Sequence, residues 1–207
     1  MKQYIIVISV ALCLVSCSHR SKHWETLAQV ESYIEERPDS ALNVLQGMDK
    51  GELSGKEEKA KHALLLSMAM DKYYIDRTDF DVLQPAIDFY EDHGSATDKL
   101  RTYYYQGRIY QNAGNDAAAM GSFVNSLDMG SESNDNLTKA RILVAQSNIY
   151  YSLMKWEKVC DVNIEAANYY NELGRTNNYV YCLLRCIGGY IQSNNFDYNN
   201  NAQIVVN

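Results

Sequence analysis

Residues 103–110 read Tyr-Tyr-Tyr-Gln-Gly-Arg-Ile-Tyr, Gly114-Asn115-Asp116 then interrupts, and a second run follows in which Ala119 and Phe123 stand four apart. Tyr103, Gly107 and Tyr110 lie at offsets of minus four, zero and plus three, which puts them on one face of a helix. Ala119, Phe123 and Ser126 repeat that spacing on a second helix. The Gly-Asn-Asp between them supplies a helix stop and the next cap. The stretch therefore reads as a helical hairpin.

The pattern recurs along the chain. Ser67, Gly107, Ser147 and Gly188 form a column of small residues at spacings of 40, 40 and 41. Three residues after each come Met70, Tyr110, Tyr150 and Ile191; four before each come Ala63, Tyr103, Leu143 and Leu184. A small residue at the centre of such a face predicts that a neighbouring helix approaches closely there. Helices are expected over 24–36, 40–48, 59–72, 82–93 and about 156–173, with Pro38 at a helix start. Ala41 and Leu45, then Ala86 and Tyr90, repeat the Ala-and-bulky spacing, while Val159 and Asn163 stand in those places in the fourth unit. Five hairpins can be drawn. The last lacks its second helix, because residues 197–207 carry no amphipathic period, and an array that ends without a polar cap exposes an apolar face. The expectation is a truncated version of a longer protein.

Composition agrees with a packed helical body. Hydrophobic residues make up 46% and charged residues 22%, ordinary globular usage, and only two prolines, Pro38 and Pro85, interrupt helices. Seventeen tyrosines against four phenylalanines suit shallow layers in which a ring packs while its hydroxyl reaches water. The formal charge of -7 argues against a nucleic-acid partner, which needs a basic face to displace counterions.

The amino terminus points to export. Lys2 precedes an apolar run over residues 4–14, too short to span a bilayer, and then comes Leu14-Val15-Ser16-Cys17. This is signal-peptide grammar. Leu14-Val15-Ser16-Cys17 resembles the lipobox of bacterial lipoproteins, which implies cleavage ahead of Cys17 and a membrane anchor of acyl chains, palmitate among them, on that residue. The implied layout is a signal peptide over 1–16, a lipidated tether over 17–23, a repeat domain over 24–196 and an irregular tail over 197–207. Within the same family pattern, Ser18 in place of aspartate points to the outer membrane, and the lack of an acidic run after Cys17 points to its periplasmic face.

Tyr103, Gly107, Tyr110, Ala119 and Phe123 resemble the tetratricopeptide repeat, with Gln106 departing from its leucine and Ser131 from its proline. Lipobox and repeats together resemble the tetratricopeptide lipoproteins of Bacteroidetes-type bacteria, over residues 1 to about 196. That resemblance implies an all-α, right-handed solenoid of helical hairpins acting as a non-enzymatic scaffold for another envelope protein or peptide segment. The alternatives are a nutrient- or glycan-binding lipoprotein of the starch-utilisation type, and a fragment of an envelope signalling regulator.

In that family the first helix of each repeat lines the concave wall. The implied wall contains a row of Lys61, Arg101 and Arg141, with Arg108 and Arg185 alongside, and Tyr104, Gln111, Asn148 and Tyr151 placed to hold a peptide backbone. Guanidinium groups grip carboxylates in two-pronged fashion, so an acidic or carboxyl-terminated segment is the expected ligand. The alternative is that these cations pair with acids on adjacent helices.

No catalytic constellation is legible, and no metal or cofactor is expected. The four histidines are scattered, and Gly107 and Gly188-Gly189 lack a phosphate-loop lysine. Glu35-Glu36 and Glu57-Glu58 diverge around a helix, which suits solvated faces. Of the mature cysteines, Cys182 and Cys186 share a helix face; either one bonds to Cys160, or all three are small buried apolar residues.

Overall fold

The computed structural model describes residues 21–193, and these form nine helices and no strand. They are α1 (Lys22–Tyr33), α2 (Pro38–Gly47), α3 (Gly55–Lys72), α4 (Gln84–His93), α5 (Ala96–Asn112), α6 (Asp116–Met129), α7 (Asn136–Ser152), α8 (Trp156–Glu172) and α9 (Thr176–Ser193). The signal peptide, Cys17 and the tail from residue 197 lie outside the described residues. The first helix begins two residues earlier than expected, because the Ser21 hydroxyl accepts from the Trp24 N–H and caps α1.

Local chemistry sets the helix ends. Ser95 and Asp98 form a reciprocal capping box at α5, Asn115 accepts from Ala118 N–H at α6, and Asp135 accepts from Thr138 N–H at α7. The stops after the first helices repeat too. The N–H groups of Ile75, Asn115 and Lys155 donate to the carbonyls of Met70, Tyr110 and Tyr150, each at 2.9 Å. The residue before each donor has a left-handed backbone: Tyr74 (φ 61°), Gly114 (φ 74°) and Met154 (φ 54°).

Every helix packs on the next, and α1 on α3, α3 on α5 and α5 on α7 also touch, so first helices lie side by side in a solenoid-like arrangement. One core runs from Leu27 of α1 to Ile149 of α7, and a second joins Leu143, Ala166, Ala167, Tyr170 and Cys182. The column of small residues does what its size predicts at Gly107 and Ser147. A Cβ added to Gly107 would come 2.4 Å from Phe123 Cε1 of α6, and the Ser147 hydroxyl accepts from Asn163 Nδ2 of α8 at 2.5 Å. Gly188 differs, for a Cβ there meets nothing within 4 Å. Close approach in α9 falls instead on its neighbour Gly189, where an added Cβ would come 3.1 Å from the Trp156 carbonyl oxygen, because among the described residues α9 packs chiefly on α8.

Cys160 of α8 and Cys186 of α9 form a disulfide, and Cys182 is a buried free thiol. Of the pairings left open by spacing, the structure selects Cys186.

Candidate peptide groove

The wall positions taken from successive first helices do meet laterally. Arg108 Nε of α5 donates to Asp71 Oδ1 of α3 at 3.0 Å, and its Nη1 donates to Gln111 at 2.6 Å. Gln111 in turn donates to the Ala145 carbonyl of α7 at 3.4 Å. Arg185 of α9 donates to Asn148 of α7 at 3.2 Å and lies 4.3 Å from the centre of the Tyr151 ring. A polar ladder thus runs across α3, α5, α7 and α9, one rung per repeat.

The row of Lys61, Arg101 and Arg141 is occupied by carboxylates of the first hairpin. Glu31 of α1 receives Lys61 Nζ at 2.7 Å and Arg101 Nη1 at 2.6 Å. Arg101 Nε also donates to Asp135, the cap of α7, at 2.6 Å. Glu35, just past α1, takes both prongs of Arg141 at 3.0 and 2.7 Å and Lys72 Nζ at 2.7 Å. The first hairpin is thereby tied to α3, α5 and α7 through two residues. Lys61 with Glu31 and Arg101 with Asp135 follow the alternative of pairing with acids on adjacent helices, whereas Arg101 with Glu31 and Arg141 with Glu35 reach a hairpin that is not adjacent.

Burial of Glu35 opposes its ionisation, yet the hydrogen bonds and charge of Arg141, with Lys72 beside it, hold the carboxyl down at about 2. Asp135 is also held below the usual aspartate range, its burial outweighed by Arg101 and by the N–H and hydroxyl of Thr138. Both partners are partly screened by water, so each pair fixes geometry more than it adds stability.

Two expectations need correction. Tyr104 is 5% exposed and packs edge-on against Tyr105 and near Phe123, so its ring belongs to the core and not to an open wall. Eight residues in a row of α3, from His62 to Ala69, are buried, which requires cover on every side of that helix. The paired acids are not uniformly solvated either. Glu58 is 3% exposed and accepts from the Ser21 hydroxyl and the Ser54 N–H, and Glu35 is the ion-pair centre already described. Asn148 and Tyr151 remain open to solvent, while Lys61, Arg101, Arg108, Gln111, Arg141 and Arg185 are half-buried.

Glu31 and Glu35 are the residues that sequence reasoning missed. Their signal is present: they are four apart, each directly following a buried residue of the apolar stripe Leu27, Val30 and Ile34. Acids bordering an apolar face from one side point towards the partner that covers it.

Among the described residues no group of three or more histidine, cysteine or acidic side chains is placed to hold a metal ion, and no helix is long and apolar enough to cross a membrane. No protein family, no curated protein and no solved structure matches the chain.

Proposed function

We propose that this chain is a non-enzymatic tetratricopeptide-type lipoprotein, anchored through Cys17 at the outer membrane, whose wall of first helices captures an acidic or carboxyl-terminated segment of another envelope protein. The observation that carries the reading is the seating of Glu31 and Glu35 on the cation row: Arg141 grips both oxygens of one carboxylate, which is the contact an acidic ligand would make. An outside carboxylate then binds by displacing an inside one. Compartment has separate support, since the Cys160–Cys186 bond is of a kind that persists in oxidising, exported settings.

The test compares three lipid-free proteins starting at residue 18. Binding of an acidic peptide, read by fluorescence anisotropy at low and moderate salt, should rise several-fold in Glu31→Gln/Glu35→Gln. It should be lost in Arg101→Glu/Arg141→Glu, with circular dichroism confirming helicity in both. Equal binding by all three removes the groove from the reading. A membrane pull-down with the neutralised variant as bait then identifies the partner.

A further inference from the structure

The face of α9 that points away from α8 has no partner among the described residues. Val180, Leu184, Ile187 and Ile191 are between 38% and 62% exposed and follow one another at steps of four, three and four. That is the seam spacing of two helices packed knobs-into-holes. With Tyr181 at its edge, the stripe leaves roughly 400 Å² of apolar surface in water, within the range of the largest patch on an ordinary monomer.

The repeat itself shows what this face is built to receive. Leu184, Gly188 and Ile191 are the α9 members of the columns that hold Tyr103, Gly107 and Tyr110 in α5 and Leu143, Ser147 and Tyr150 in α7. In α5 that face takes the Phe123 ring of α6 over Gly107, and in α7 it takes Asn163 of α8 at Ser147. Leu143 is 3% exposed where Leu184 is 62% exposed. The face of α9 is thus shaped for a helix laid against Gly188.

We infer that the occupant is α9 of a second copy of this chain, packed antiparallel about a twofold axis. Charge and area both suit a second copy. Arg185 is the only charged residue in the eighteen of α9, and it is turned onto Tyr151 and Asn148, so two copies of an acidic protein meet here without repulsion. A charge-depleted centre is the compositional mark of an interface core. A lipid surface is disfavoured by the same fact, since helices that lie on membranes carry several basic residues on their polar side.

Antiparallel seating sets Leu184 opposite Ile187 of the second copy and brings Tyr181 towards its Gly188, where the missing side chain leaves room. Two such patches with their flanks bury about 1,000 Å², the lower bound of a specific interface and the size class of weak, concentration-dependent association.

Sedimentation equilibrium of the chain from residue 18 onward tests this. At about 100 µM the unaltered protein should sediment as a dimer, and Leu184→Glu and Ile187→Lys should each sediment as monomers with unchanged circular dichroism. Their one-to-one mixture should recover a dimer, because glutamate at 184 then opposes lysine at 187. A monomeric unaltered protein, or a Leu184→Glu variant that stays dimeric, overturns the α9 seam. Monomeric variants whose mixture stays monomeric overturn the antiparallel register.

Discussion

Gly107 and Phe123 share one space: the edge of the Phe123 ring rests where a side chain on residue 107 would begin, 2.4 Å from the position of an added Cβ. Phe123 is fully buried and cannot swing into water without leaving a hole in the core. Gly107→Ala should therefore destabilise the protein by about 1–3 kcal/mol, the usual range for overpacking, although alanine is the better helix former. Gly121, in α6, is an internal control, since a Cβ there meets nothing within 4 Å. Gly121→Ala should stabilise by up to about 1 kcal/mol. Urea denaturation followed by circular dichroism should give the two changes opposite signs.

Tyr74 and Met154 hold the left-handed position that Gly114 holds in the intervening repeat, and they are 92% and 71% exposed. A side chain in that conformation costs roughly 1–2 kcal/mol, and neither residue regains it through packing. Tyr74→Gly and Met154→Gly should each raise the midpoint of thermal unfolding, with a net gain of about 0.5–1 kcal/mol after the added freedom of the unfolded chain is counted. Gly114→Ala, the reverse change, should lower it. A gain at neither position would mean that the two turns relax to another backbone conformation in solution.

The periodic part of the fold was legible, and the register between non-neighbouring repeats was not. Offsets of minus four, zero and plus three around Gly107 and Ser147 fix which face meets the second helix, since helix geometry alone decides it. The columns likewise bring Asp71 to Arg108 and Asn148 to Arg185. Nothing in a forty-residue period says that Glu35 reaches Arg141, 106 residues away. That contact depends on how far successive hairpins curve, which is set by the summed shapes of many side chains. Gly188 shows the same division: its column was legible, but whether a helix lies on it depends on what assembles there.

Acid should loosen the first hairpin before the rest. The folded-state value for Glu35, about 2, lies below its ordinary 4.5, so the unfolded chain binds the extra proton between those limits. The stability that Glu35 contributes is complete above about pH 4.5 and is lost as pH falls towards 2. Glu35→Gln should flatten the stability profile in that window and leave the profile above it unchanged. His62 adds a higher step. Burial, with Lys50 nearby, lowers its value below 6.5 despite its bond to the Leu45 carbonyl, so its neutral form belongs to the folded state. Stability should decline as pH drops through 6.5, and His62→Gln should remove that step.

The three cysteines of α8 and α9 make a thiol count that tests the structure and the compartment together. Cys182 is buried among Leu143, Ala166 and Tyr170, and burial pushes its thiol up to about 11, so it should resist a thiol reagent at neutral pH in the folded protein. Unfolding the chain from residue 18 onward in denaturant without reductant should expose one thiol, and adding reductant should release three. Reduction of the folded protein opens a cross-link across 26 residues, which by loop-closure entropy costs about 3.5 kcal/mol. Loss should concentrate in α9, because among the described residues it touches the rest of the body mainly through α8. Hydrogen exchange should therefore speed up in α9 far more than in α5 when Cys160→Ala/Cys186→Ala is compared with the unaltered chain. Three reactive thiols in the unfolded, unreduced protein would show that the bond does not form, and the argument for an oxidising compartment would then rest on the amino-terminal sequence alone.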